Sequence, residues 1–236
     1  MDQLHHNWIF KNRLFRHAVG SRLPQGIKKI QLAIAEIKKI GTKNQALAAD
    51  GAVLFFQRIS PAVEIADVTA PALIQVIDQG IKTLVPIIAT AEIQMKQRKW
   101  LLKKLFEAHE RDRGLVLESL TDHWGDLCAS QTLAWDWADR LLPKTRPSLQ
   151  PDMRLDDYFL GTTACLSAML AAGRNKELIK LVEDQQYWRY KVWAVRAYLA
   201  EGSPKKAIRL AESGGHEQES DAEVKRMVKE IRSSMK

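Results

Sequence analysis

Apolar positions recur every three or four residues along almost the whole chain, and no stretch alternates for long enough to build a sheet. Ile27, Ile30, Ile34, Ile37 and Ile40 form one stripe flanked by Lys28, Lys29, Lys38 and Lys39. That pattern predicts an amphipathic helix with a basic outer face, stopped by Gly41. A second helix is expected from about Asn44 to Arg58, closing before Ser60-Pro61 because a residue ahead of proline avoids the helical region. Pro71 suits the first turn of a third helix, which Gly80 and Pro86 are expected to interrupt or kink.

From residue 96 the stripes are cleaner. Leu101, Leu102, Leu105, Phe106 and His109 share one face; Val116, Leu120, His123 and Leu127 share the next, with Leu117 and Trp124 beside them. Ser130 reads as the N-cap of a helix carrying Leu133, Trp137 and Leu141. Pro143, Pro147 and Pro151 mark the least regular stretch, expected to be a loop or a boundary, with helices resuming near Leu155.

The strongest pattern is a repeat. Residues 168–184, AMLAAGRNKELIKLVED, match residues 197–213, AYLAEGSPKKAIRLAES, at an offset of 29, with eight of seventeen positions identical. The shared positions include Gly173/Gly202, where glycine can take the left-handed conformation that ends a helix, and Ala168/Ala197, small enough for close helix contact. A helix–turn–helix unit copied at this period cannot cover its own apolar face and is expected to stack on its neighbour.

The repeat resembles the turn of tetratricopeptide-type hairpins, with a shorter period than their ~34 residues. The blocks 100–110 (WLLKKLFEAHE), 122–129 (DHWGDLCA), 137–141 (WADRL) and 158–174 (YFLGTTACLSAMLAAGR) resemble a bacterial family of uncharacterised helical-repeat proteins, over roughly residues 96–212. The resemblance implies a fold and no reaction. The expected architecture is all-α: a right-handed α-solenoid of eight to ten helices in stacked hairpins, tetratricopeptide-like in its second half. Its expected parts are a basic N-terminal helical region, 1–95, and a repeat region, 96–236, with a break in the loop 143–153.

Charge sharpens the picture. The formal net charge is +8, and residues 1–108 hold 16 basic against 8 acidic side chains, while the remainder is balanced. Such asymmetry points to an anionic partner or to a solvated basic face. Candidate polyanion contacts are Arg13, Arg16, Arg22, Lys28, Lys29, Lys38 and Lys39, and a second cluster of Lys96, Arg98, Lys99, Lys103 and Lys104. They could track phosphates, but no base-reading motif accompanies them. Cys128 and Cys165 lack CxxC spacing and read as buried thiols in a reducing compartment, so a cytoplasmic location is expected. No signal peptide is expected, and the uncharged apolar run 83–91 is broken by Pro86 and falls short of the ~20 residues a membrane helix needs, so no membrane association is expected either.

Catalytic chemistry finds little support. No HExxH, GxSxG, GxxxxGK[ST] or GxGxxG motif is present. His123 reads as a half-buried, hydrogen-bonded imidazole. No catalytic residue, metal, cofactor or small-molecule substrate is therefore expected. Aromatic residues are the more informative class. Trp135 and Trp137, two apart on a helix, cannot share a face, so one is expected to be exposed. The run Tyr187-Trp188-Arg189-Tyr190-Lys191 mixes rings with cations; it suits either a partner surface or a buried helix start. Trp135 and this run are the candidate partner-binding residues. The expected function is a non-enzymatic scaffold or adaptor for a protein partner, the alternative a nucleic-acid-binding subunit using the basic N-terminal helices.

Overall fold

The computed structural model describes residues 6–11, 23–63, 71–213 and 218–235. Among these the structure is all-helical, without strands. The chain divides into two compact units, Met1–Ala129 and Ser130–Lys236. The boundary expected from the sequence, at 95/96, lies inside the first unit. The division falls later because the helix after residue 95 packs back onto the second helix of the first unit.

The first unit holds α1 (Leu23–Gly41), α2 (Gln45–Val63), α3 (Pro71–Thr90), α4 (Met95–Glu110), a 3₁₀ turn (Glu118–His123) and α5 (Trp124–Cys128). As the isoleucine stripe predicts, Ile30 and Ile37 of α1 are buried, with Gly26 and Ala33, and the helix stops at Gly41. α1 packs against α2 and α3, α2 also against α3 and α4, and α3 against α5. Asn44 caps α2, its Oδ1 accepting from the Leu47 N–H at 3.0 Å.

Neither α2 nor α3 ends at its proline. α2 runs on through Pro61 to Val63, and α3 passes Gly80 and Pro86 without ending. Ser60, Ala62 and Val63 are buried on α2, so packing carries the last turn past the proline. Gly80 serves a close approach: a Cβ there would come within 2.9 Å of Ile34 Cδ1 on α1. Among the described residues α3 is the helix long and apolar enough to cross a bilayer by length and composition, a length that the break expected at Pro86 hides in the sequence. Leu73, Ile77, Ile81, Leu84, Val85 and Ile88 form its buried side.

The second unit holds α6 (Gln131–Ser148), a 3₁₀ turn (Leu155–Asp157), α7 (Thr162–Ala171), α8 (Asn175–Val182), α9 (Trp188–Ala200), α10 (Pro204–Ser213) and α11 (Gln218–Ser234). Ser130 is the N-cap of α6, its Oγ accepting from the Leu133 N–H. α6 continues through Pro143 and Pro147, against the expected loop. Leu133, Ala134, Trp137, Ala138, Leu141, Leu142, Thr145 and Ser148 keep one buried side along its whole length, and α6 packs along α7. This side outweighs the N–H groups that the prolines lack. Each later helix packs on its predecessor, and α7 also touches α9.

The turns at Gly173 and Gly202 close with the same hydrogen bonds. After α7, the N–H groups of Ala172, Gly173 and Arg174 donate to the carbonyls of Ala168, Leu170 and Met169. After α9, those of Glu201, Gly202 and Ser203 donate to Ala197, Leu199 and Tyr198. Both glycines take positive φ, +75° and +66°. This is one Schellman-type closure built twice. Burial repeats with it: Leu178 and Val182 of α8 correspond to Ala207 and Ala211 of α10, all buried. Gly202→Ala meets nothing within 4 Å, so its cost isolates the backbone conformation; a loss of about 1 kcal/mol in urea unfolding is expected. Gly173→Ala should cost at least as much, because its Cβ also meets Gln131 Nε2 at 3.1 Å.

Candidate interaction surface

α6 and α7 run antiparallel, with Thr162 Oγ1 donating to Ser148 Oγ at one end and Gln131 Nε2 donating to the Ala172 carbonyl at the other. The second end is an edge formed by the two glycine turns. Arg174, just after the first turn, lies with its guanidinium 4.9 Å from the centroid of the Trp135 ring. It is held there by Asp139 of α6 and Glu177 of α8. Burial lowers its pKa, but the hydrogen bonds to Glu177 and Asp139 together outweigh that effect and raise it. Asn175 Nδ2 then donates to Glu201 Oε1 at 3.0 Å, joining the first turn to the second.

Trp135 stands on this edge with 47% of its surface exposed, while Trp137 is buried. The two-residue spacing thus resolves as the periodicity requires. Tyr187 is also exposed, at 58%, but on the opposite edge. There Gln185 Nε2 donates to the Leu149 carbonyl, at the start of the segment carrying exposed Met153 and Tyr158. Trp135 and Leu149 are fourteen residues apart on and just past α6, about 21 Å along its axis. The candidate partner-binding residues therefore do not form one cluster. Trp188 and Tyr190 need a further correction: both are buried at the start of α9, leaving Arg189 exposed and Lys191 half-exposed. The aromatic run is a packed helix start with Tyr187 as its outward ring.

The basic candidates also separate. Lys28, Lys29, Lys38 and Lys39 are exposed on α1. The carboxylate on that helix, Glu36, is turned to the N-terminal segment: it meets His6 Nε2 at 3.0 Å and accepts from the Ile9 N–H. Lys28 and Lys39 are eleven residues apart and lie on one side, about 16 Å apart. Arg13, Arg16 and Arg22 lie outside the described residues.

In the second cluster Lys96, Lys99 and Lys103 are exposed, whereas Arg98 is buried and cannot meet a polyanion. Its guanidinium donates to the carbonyls of Ile88 (2.8 Å), Ala91 (2.6 Å) and Leu127 (3.3 Å), groups at and beyond the C-terminal ends of α3 and α5. An arginine surrounded by lysines gave no sign of this in sequence. Lys104 is half-buried and pairs with Glu107 at 3.1 Å, and that hydrogen bond lowers the Glu107 pKa.

Cys128 and Cys165 are buried free thiols, and burial pushes Cys165 up to about 11. His123 Nδ1 lies 3.4 Å from Asp126 Oδ2. Among the described residues no group of three His, Cys, Asp or Glu side chains is placed to hold a metal ion. No family model, curated protein or solved structure matches the chain. The helical-repeat likeness rests on the residues themselves.

Proposed function

We propose that the chain is a non-enzymatic adaptor of the cytoplasm whose second unit is a short right-handed solenoid of tetratricopeptide-like hairpins, with an edge that binds a protein partner. The observation that carries this reading is the edge itself. Two closures of one design are tied side by side through Asn175 and Glu201, with an exposed tryptophan fixed beside them by a doubly paired arginine. Rigid aromatic side chains of this kind bind at low entropic cost and dominate protein interfaces. Affinity capture with the full chain from nuclease-treated extract, followed by quantitative mass spectrometry, tests it. A partner that survives nuclease and falls at least tenfold with Trp135→Ala is expected. Enrichment unchanged by that substitution, or abolished by nuclease, argues against the reading.

A second reading, polyanion binding by α1, is favoured by the four exposed lysines and by the engagement of Glu36 with the N-terminal segment. It predicts retention on RNA or DNA that falls steeply with salt. Changing Lys28, Lys29, Lys38 and Lys39 together to Glu should abolish that retention. Absence of binding at low salt removes it.

A further inference from the structure

The segment 6–11 lies on α1 and α2 in a manner that the adaptor reading does not use. Trp8 and Phe10 are buried, while Asn7 before them and Ile9 between them face out. The two rings stack with centroids 5.4 Å apart, and Phe10 meets Phe55 of α2 edge-on at 5.7 Å. Trp8 lies over Gly51, where a Cβ would collide with the indole ring, so a glycine on α2 makes the space it fills. Glu36 of α1 reads the segment at two points: Oε1 meets the His6 ring nitrogen, and Oε2 accepts from the Ile9 N–H at 3.2 Å. Two side-chain pockets in alternate register, one backbone hydrogen bond and one side-chain contact are the parts from which short-peptide recognition is assembled. Eleven residues of chain separate this segment from the start of α1.

We propose that the groove between α1 and α2, centred on Gly51, is a peptide-binding site for a Trp-x-Phe segment carrying histidine or another donor two residues before the tryptophan. The chain's own 6–11 segment is its resident ligand, and a segment of the same pattern on another protein displaces it. A tethered ligand holds its site at a high effective concentration, so an incoming peptide binds the occupied groove more weakly by the fraction left open.

The test uses the full chain and a fluorescein-labelled peptide of residues 4–12, LHHNWIFKN. By anisotropy, the peptide should bind Trp8→Ala/Phe10→Ala saturably and at least tenfold more tightly than it binds the wild type. Adding Gly51→Val to the emptied variant fills the indole space and should abolish binding. Failure of the peptide to bind an emptied variant that keeps its helical circular dichroism overturns the proposal. Loss of cooperative unfolding in that variant also overturns it, because the segment is then core. Hydrogen exchange on the wild type supplies a second reading: amides of 8–11 opening ahead of α1 and α2 support displacement, and opening together with them contradicts it. A wild-type dimer that disappears with Trp8→Ala/Phe10→Ala gives the groove to a second copy and overturns assignment to another protein.

Discussion

Replacing Arg98 with methionine should cost the first unit at least about 3 kcal/mol in urea or thermal unfolding. The guanidinium donates three hydrogen bonds to backbone carbonyls in a buried site. Hydrogen bonds involving a charged group contribute about 1.5–3 kcal/mol each, and stranding buried acceptors carries a desolvation penalty besides. Methionine keeps much of the volume and none of the donors, so packing loss is a minor part of the change. Burial lowers the guanidinium's pKa, yet arginine stays charged at any pH where the fold is stable, and the effect should be flat across the neutral range. Arg98→Lys should recover part of the loss, since one ammonium cannot reproduce the planar fork that reaches the Ile88 and Ala91 carbonyls together. A change within 0.5 kcal/mol for Arg98→Met, the ordinary range for a surface substitution, would show that these carbonyls find other partners.

In the second unit, Trp193→Ala should cost about 3–5 kcal/mol, the usual range for removing a large buried ring. Trp193 is buried on α9, which packs against α7, α8 and α10. The Arg196 guanidinium sits 4.4 Å from the ring centroid and loses that contact too. Trp193→Phe is the informative companion. The indole nitrogen is buried without a hydrogen-bond partner, so phenylalanine removes an unsatisfied donor while retaining most of the apolar contact. A cost near 1 kcal/mol is expected for it. Equal and large losses for both variants would mean that ring size alone fixes the site.

Much of this architecture can be read from residue order because its signals are local. The isoleucine stripe of α1, the Ser130 cap and the paired glycines at 173 and 202 each act within a few residues of where they are written. The misreadings share the opposite cause. Pro143 and Pro147 should break a helix by local rules, but the buried side of α6 continues past both. Arg98 belongs to a run of lysines by composition, and its three carbonyl partners lie ten and seven residues before it and twenty-nine after. Trp188 and Tyr190 mix with cations in sequence, while the α9 start turns them inward and leaves Tyr187 outside. The contact of Trp8 with Gly51, forty-three residues away, has no local mark at all.

The surface candidates were legible to the same degree. Helical spacing alone separates Trp135 from Trp137; it does not place Arg174 over the exposed ring, because that contact depends on how the turn after α7 meets α6. Nor does it show that Trp135 and Tyr187 stand on opposite edges, which follows from the bond of Gln185 to the Leu149 carbonyl at the far end of α6.

The most direct test of the adaptor account is the hydrogen-exchange footprint of the full chain in complex with a protein captured from nuclease-treated extract. The account predicts slowed exchange at the glycine-turn edge, in residues 131–139, 172–177 and 199–203, with α1 unchanged. Protection confined to α1, or none at that edge, would contradict it.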